Sequence, residues 1–141
     1  MATVIITGGT GLIGTALAKA LVQKNYEVII FTRNSRVSLQ KNISYARWDA
    51  YTQMIDEDAI KKADYIIHLA GANVAEKRWT VKRKQEIVDS RVQTGELIVK
   101  ALKEIPNKVK AVISSSAIGY YGPDFAGSKP LLKPIFPLMI F

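Results

Sequence analysis

The stretch Val4-Ile5-Ile6-Thr7-Gly8-Gly9-Thr10-Gly11-Leu12-Ile13-Gly14 decides how the rest of the chain is read. A short apolar run gives way to glycines spaced Gly8-x-x-Gly11-x-x-Gly14. These open a segment, Thr15 to Lys24, whose apolar residues recur at helical spacing. Strand, glycine turn, helix is the order that a diphosphate-binding turn requires. Gly8 allows a sharp turn off the strand with a backbone angle closed to other residues. Gly11 lets the backbone approach a pyrophosphate, and Gly14 lets the new helix pack close on the strand. Free amides of the helix's first turn then point at the phosphates, where the helix dipole favours negative charge. Thr10, between the glycines, belongs to the same expected cradle. The first gap is one residue wider than in the Gly-x-Gly-x-x-Gly fingerprint, so the assignment rests on the order of the three elements and not on glycines alone.

With 141 residues there is room for one domain and a sizeable core. A complete doubly wound dinucleotide enzyme uses two mononucleotide halves and a substrate region, so this chain is short for that job. The composition, 48% hydrophobic and 23% charged, is that of a soluble globular protein. No apolar run reaches membrane-spanning length and no basic region precedes a cleavable apolar segment, so a cytoplasmic location without a membrane partner is expected. The absence of cysteine excludes disulfides, thiolate metal sites and cysteine nucleophiles, and a single histidine argues against a histidine-based metal site. A formal charge of +8 would suit an anionic ligand or nucleic acid. The Lys and Arg residues are spread along the chain with no recognisable nucleic-acid module, which favours a solvated surface.

Downstream, Lys24-Asn25 supplies a helix stop and Tyr26 to Thr32 reads as a buried parallel strand around Val28-Ile29-Ile30-Phe31. An NAD-selective site places an acid about 20 residues beyond the glycines to bind the ribose hydroxyls. Here the region reads Thr32-Arg33-Asn34-Ser35-Arg36, without one. A carboxylate would repel a 2′-phosphate, whereas Arg33 can bond to it and stack on adenine. NADP is therefore expected in preference to NAD, with Arg33 and its neighbour Asn34 at the adenosine phosphate. The alternative is that Arg33 and Arg36 are exposed loop charges.

Ile43 to Trp48 reads as a third strand ending at Asp49, which either accepts a bond from the adenine amine or caps the turn or helix that follows. Ile55 to Lys62 suits a short amphipathic crossover helix and Ala63 to Leu69 a fourth strand. The small residues Ala70-Gly71-Ala72 at its carboxyl edge allow backbone to approach a ribose. His68 invites assignment as a general base, but inside an apolar strand a hydrogen-bonded core residue is favoured. Thr80 caps a long helix running to about Ile105 and stopped by Pro106-Asn107. Its apolar face, Ile87, Ile98, Leu102 and Ile105, is interrupted by Arg91 and Thr94, which either face the site or sit at the edge of the buried stripe. Val109 to Ser114 reads as a fifth strand, running into Ser115-Ser116-Ala117-Ile118-Gly119-Tyr120-Tyr121-Gly122. A hydroxyl at that edge, beside a nicotinamide, could polarise a substrate carbonyl or alcohol for hydride transfer. A serine run is otherwise a commonplace loop.

With the glycine turn, His68-Leu69-Ala70-Gly71 and Ser114-Ser115-Ser116-x-x-x-Tyr120-Tyr121-Gly122 in sequence, the chain resembles the short-chain dehydrogenase/reductase superfamily. It is most similar to the extended and atypical branch labelled NAD-dependent epimerase/dehydratase. Ala72-Asn73-Val74-Ala75 leading to Arg78-Trp79-Thr80, then Ser90-Arg91-Val92, resembles an epimerase-like family within that branch. The resemblance covers Met1 to about Gly127. It implies an α/β Rossmann-like doubly wound parallel sheet of about five strands, incomplete, as the NAD(P)-binding domain over residues 1–122. It further implies that Gly8, Gly11, Leu12 and Ile13 line the pyrophosphate, Arg33 the adenosine phosphate, and Leu69, Ala70 and Gly71 the ribose. Ser114 would stand beside the cofactor, and Ser116, or Ser115 one residue earlier, would be the catalytic hydroxyl.

Three departures from the family pattern bear on activity. Arg91 lies near where many relatives carry an asparagine in the long helix. No tyrosine in the chain is followed four residues later by lysine, so the superfamily's Tyr-x-x-x-Lys acid/base pair is missing. From Pro123 onward the chain holds four of its five prolines, and it ends Leu131-Leu-Lys-Pro-Ile-Phe-Pro-Leu-Met-Ile-Phe141, where relatives have a polar, acidic loop. Residues 123–141 are expected to be a Pro-rich apolar tail of a truncated or frameshifted chain. The expected protein is thus the NADP-binding part of a nucleoside-diphosphate-sugar epimerase, dehydratase or reductase, with a small-molecule partner such as a sugar nucleotide and no nucleic acid. Self-association through an uncovered sheet edge is also expected. The competing reading is a non-catalytic NADP-binding sensor or scaffold.

Overall fold

The computed structural model describes residues 1–34, 36–72 and 76–115. Six strands form one sheet in the order β4-β3-β2-β1-β5-β6. β1 is Thr3–Thr7, β2 Glu27–Thr32, β3 Ile43–Asp49, β4 Met54–Ile55, β5 Tyr65–His68 and β6 Ala111–Ser114. All neighbouring pairs are parallel except β3 with β4. Central β1 is buried at each of its five positions, as expected where both faces of a parallel sheet are covered.

Helix α1 (Leu12–Gln23) covers one face, packing Ala18, Leu17 and Leu21 on Val4, Ile6, Val28 and Ile30. Helices α2 (Glu57–Lys62) and α3 (Val81–Glu104) cover the other, where Ile60, Leu97, Ile98 and Ala101 meet Ile5, Ile29, Phe31 and Ile66. Alternation along each strand sends successive side chains to opposite layers, which gives two cores from one sheet. On the α3 side Phe31 stacks on Trp48 with ring centroids 5.7 Å apart.

The expected stop after the first helix is present. Asn25 takes φ 61°, its N–H bonds Val22 O, and Tyr26 N–H reaches back to Leu21 O, the bond pattern that closes a helix with a left-handed residue just beyond it. Two expectations require correction. α1 begins at Leu12 and not Thr15, because Gly11 itself occupies the N-cap. The segment from Ile55 is not wholly helical: Met54–Ile55 forms a short antiparallel strand on Trp48–Asp49, and α2 starts at Glu57. Among the described residues the sheet therefore has six strands where about five were expected. Asp56 marks the change, its Oδ1 accepting Ala59 N–H at 2.9 Å as an N-cap. Ser116 and the 123–141 tail lie outside the described residues.

Both ends of β1 are stapled to β5 by polar groups. At the amino end Asp64 Oδ2 accepts the Thr3 N–H at 2.9 Å, with Lys108 Nζ at 3.4 Å from the same oxygen. At the carboxyl end the Thr7 hydroxyl meets His68.

Candidate functional site

The chain leaves β1 towards β2 on one side and returns to β5 on the other, so the loops after β1 and β5 diverge at the point where strand order reverses. Open parallel sheets take their ligands in the crevice formed there. Thr7 ends β1, His68 ends β5, and the two are paired in register.

The glycine turn forms one wall. Gly8 adopts φ +71°, and a Cβ on it would sit 2.9 Å from the Leu69 carbonyl carbon, so both conformation and proximity require glycine. Gly11 N–H closes the turn on Gly8 O at 3.1 Å. The first bond of α1 runs from Thr15 N–H to Gly11 O at 2.9 Å, which leaves the amides of Leu12, Ile13 and Gly14 ahead of the helical ladder. Gly11 caps the helix without a side-chain bond, and no acidic residue occupies the first turn. A Cβ at Gly11 would meet only the Gly8 oxygen, at 3.4 Å, so the outer side of the turn is open. Donors without a carboxylate nearby suit an anion. Thr10 is exposed on this turn, and Leu12 and Ile13 are 91% and 71% exposed beside it.

The loop after β5 forms the opposite wall, and side chains hold its backbone. Thr7 Oγ1 accepts Leu69 N–H at 3.1 Å and Ala70 N–H at 3.2 Å, and it lies 2.7 Å from His68 Nδ1. From α3, Ser90 Oγ accepts Ala72 N–H at 3.0 Å, and Arg91 Nη1 donates to Ile87 O at 3.1 Å and to Ala72 O at 3.5 Å. The Arg91 guanidinium lies over Gly71, where a Cβ would come within 3.2 Å of its Cζ. Thr94 Oγ1 is 3.3 Å from His68 Nε2 and donates to Ser90 O at 2.7 Å. Of the polar breaks in the helix face, Thr94 thus contacts the residue that ends β5 and Arg91 the loop that follows it.

His68 is buried and bonded, the core reading, and its ring lies edge-on to Trp48. Burial pushes its pKa below the ordinary histidine value, which keeps the imidazole neutral.

The remaining candidates lie around the crevice mouth. Arg33 and Asn34 are exposed at the end of β2, Asn34 N–H bonding Thr32 Oγ1 at 3.3 Å. Asp49 ends β3 and its Oδ1 accepts Tyr51 N–H at 2.9 Å, so it does cap the following turn. Ser114 ends β6 opposite His68, Ser115 N–H bonds His68 O at 3.3 Å, and both serines are exposed. Ser116 falls outside the described residues. Among the described residues no three metal-ligating side chains come together. Sequence reasoning did not identify Thr7 or Ser90 as supports of the β5 loop. The available signal was a hydroxyl following the apolar run Val4-Ile5-Ile6 immediately before the glycines.

Comparison with known proteins gives a consistent picture. The sequence model of the NAD dependent epimerase/dehydratase family matches residues 4–137. The chain is 39% identical over 120 residues to an epimerase family protein of Staphylococcus saprophyticus, which covers 85% of this chain and 39% of that protein. It is 34% identical over 122 residues to an epimerase family protein of Staphylococcus aureus, with the same coverage of each. The chain thus spans 39% of the length of these curated relatives. Among solved structures it is similar to the human epimerase family protein SDR39U1 with NADPH, at 29% identity and a TM-score of 0.69, covering 86% of this chain and 39% of that one. It is also similar to a UDP-glucose 4-epimerase from Bifidobacterium longum in complex with NAD+ and UDP, at 28% identity and a TM-score of 0.64, covering 86% and 38%.

Proposed function

The chain belongs to the NAD dependent epimerase/dehydratase family, and from that premise we propose that it is the NADP-binding part of a nucleoside-diphosphate-sugar epimerase, dehydratase or reductase. The observation that carries the reading is the glycine turn at the β1–α1 junction, where uncapped helix amides open onto the point of strand reversal. Relatives support the ligand class: one similar structure holds NADPH and another NAD+ with UDP.

The residues present fit a dinucleotide. Gly8, Thr10, Gly11, Leu12, Ile13 and Gly14 would hold the diphosphate through backbone amides. Leu69, Ala70 and Gly71 would lie along a ribose, and Ser114 beside the nicotinamide. Arg33, with Asn34, would take the 2′-phosphate, since the end of β2 carries exposed positive charge and no acid. Asp49 would serve the adenine amine through the oxygen that Tyr51 does not use. When bound, the cofactor supplies or accepts a hydride at a carbinol carbon. The chain's own contribution is to position it and, through the Ser116 or Ser115 hydroxyl, to hydrogen-bond the reacting oxygen.

The missing Tyr-x-x-x-Lys pair favours a second reading, a sensor or scaffold that binds NADP without moving hydride. Fluorescence titration of NADPH and NADH against wild type and Arg33→Asp tests the proposal. NADPH should bind more tightly to wild type, and the variant should lose that preference. Equal affinity of wild type for both cofactors would remove the basis for NADP. Turnover across a sugar-nucleotide panel tests the sensor reading: the 141-residue chain should bind NADPH without oxidising it, and substrate-dependent oxidation would sink that reading.

A further inference from the structure

The Thr7 hydroxyl sits where a β-strand residue ordinarily needs no polar group, fully buried next to the aliphatic run Val4-Ile5-Ile6. Its hydrogen-bond capacity is filled. A hydroxyl oxygen has two acceptor sites, and these face the N–H of Ala70 and the N–H of Leu69, the latter shared with the Thr7 carbonyl at 3.1 Å. Its single hydrogen then goes to His68 Nδ1, 2.7 Å away. That leaves the imidazole hydrogen on Nε2, facing the Thr94 hydroxyl, which passes its own hydrogen to Ser90 O. The resulting chain of donors runs in one direction from Thr7 through His68 and Thr94 into α3. The opposite tautomer would give Thr7 three donors and leave its own hydrogen without an acceptor.

We infer that Thr7 and His68 are positioning residues for the dinucleotide: the relay from β1 to α3 fixes the Leu69–Ala70 backbone against the Gly8 turn. The inference rests on the reading of this crevice as a dinucleotide site. Thr7 and His68 touch no ligand in this account and act through the loop. The loop has little tolerance for displacement, because Gly8 Cα approaches Leu69 and Ala70 so closely that a Cβ would lie 2.9 and 3.0 Å from their backbone atoms. Movement of Leu69–Ala70 therefore changes the gap between the crevice walls.

Two measurements on the full chain decide the matter: amide hydrogen exchange without ligand, and NADPH affinity. Thr7→Val keeps the shape and removes the hydroxyl, while Thr7→Ser restores it. Thr7→Val should speed exchange chiefly at Ala70, since Leu69 N–H keeps its bond to Thr7 O at 3.1 Å, while leaving Ile6 and Ile30 protected, and should weaken NADPH binding about tenfold, the loss expected when an amide is left without its partner. Thr7→Ser should recover both. Thr94→Val, which leaves β1 intact and breaks the far end of the relay, should speed the Ala70 amide likewise, and it serves if Thr7→Val does not fold. Wild-type exchange at Ala70 in both valine variants would overturn the inference, as would faster exchange with unchanged NADPH affinity. Wild type that fails to bind NADPH overturns the functional reading and the positioning role with it. Normal binding by wild type together with an unaffected Thr7→Val overturns the positioning role alone.

Discussion

Gly14, in the first turn of α1, lies against the Gly8 carbonyl so closely that a Cβ built on it would collide with that oxygen and come within 2.5 Å of Gly9 Cα. The atoms in the way are backbone, and they belong to the turn that the helix must cap. Neither partner can yield by changing a rotamer. Gly14→Ala should therefore cost about 3 kcal/mol of stability, the upper range for overpacking a close contact. Urea unfolding midpoints measure this, and a variant as stable as wild type would mean that turn and helix can separate freely.

Gly95 presents the opposite case within α3, since a Cβ there meets nothing within 4 Å. A glycine inside a helix carries conformational entropy that alanine does not. Gly95→Ala should raise stability by about 0.5–1 kcal/mol. A fall in the midpoint would show that the glycine serves a contact outside the described residues.

Much of this architecture could be read from the residues alone, for identifiable reasons. Val28-Ile29-Ile30-Phe31 is apolar without alternation because β2 is covered on both faces, and that pattern survives in any register. The glycine turn was legible because Gly8 and Gly14 answer steric needs that no other residue meets. Met54–Ile55 was not legible as a strand, since two residues have no period and Ile55 also fits a helix face. Nor could the start of α1 be placed, because Leu12 and Ile13 are apolar yet exposed, against the pattern that burial imposes. The Thr7–His68 contact joins residues 61 apart in sequence, and only the pairing of β1 with β5 brings them level. Propensity and spacing carry no information about that register.

Asp64 ties β5 to the amino end of β1, and its acidity reflects the arrangement. The Thr3 N–H holds its carboxyl below the ordinary aspartate pKa, assisted by Lys108 and Lys110 and opposed by burial. A depressed carboxylate pKa contributes stability above the unfolded pKa of about 3.9 and loses it as pH falls through the lower folded value. Asp64→Asn should be less stable than wild type at pH 7 and pH 5 by similar amounts, and the gap should close below about pH 4. Unfolding midpoints at several pH values check this. A gap that persists undiminished at pH 3 would place the stabilisation in shape and not in charge.

His68 provides the complementary test, with its sign fixed by burial. Its folded pKa lies below the ordinary value of about 6.5, so the unfolded chain binds a proton at pH values where the native imidazole remains neutral. Stability is then full above about pH 6.5 and declines as pH falls from there towards the folded pKa. Protonation also opposes the relay geometrically, because a hydrogen on Nδ1 would point at a Thr7 oxygen already occupied by two amides. The chain has one histidine, the side chain whose ordinary pKa falls between pH 5 and pH 7. Wild type should lose stability across that interval, whereas His68→Gln, less stable at pH 7, should show a nearly flat profile. Thermal melts at half-unit pH steps measure the two slopes. Parallel slopes would mean that His68 accepts its proton as readily in the folded chain as in the unfolded one, and the neutral relay would have to be abandoned.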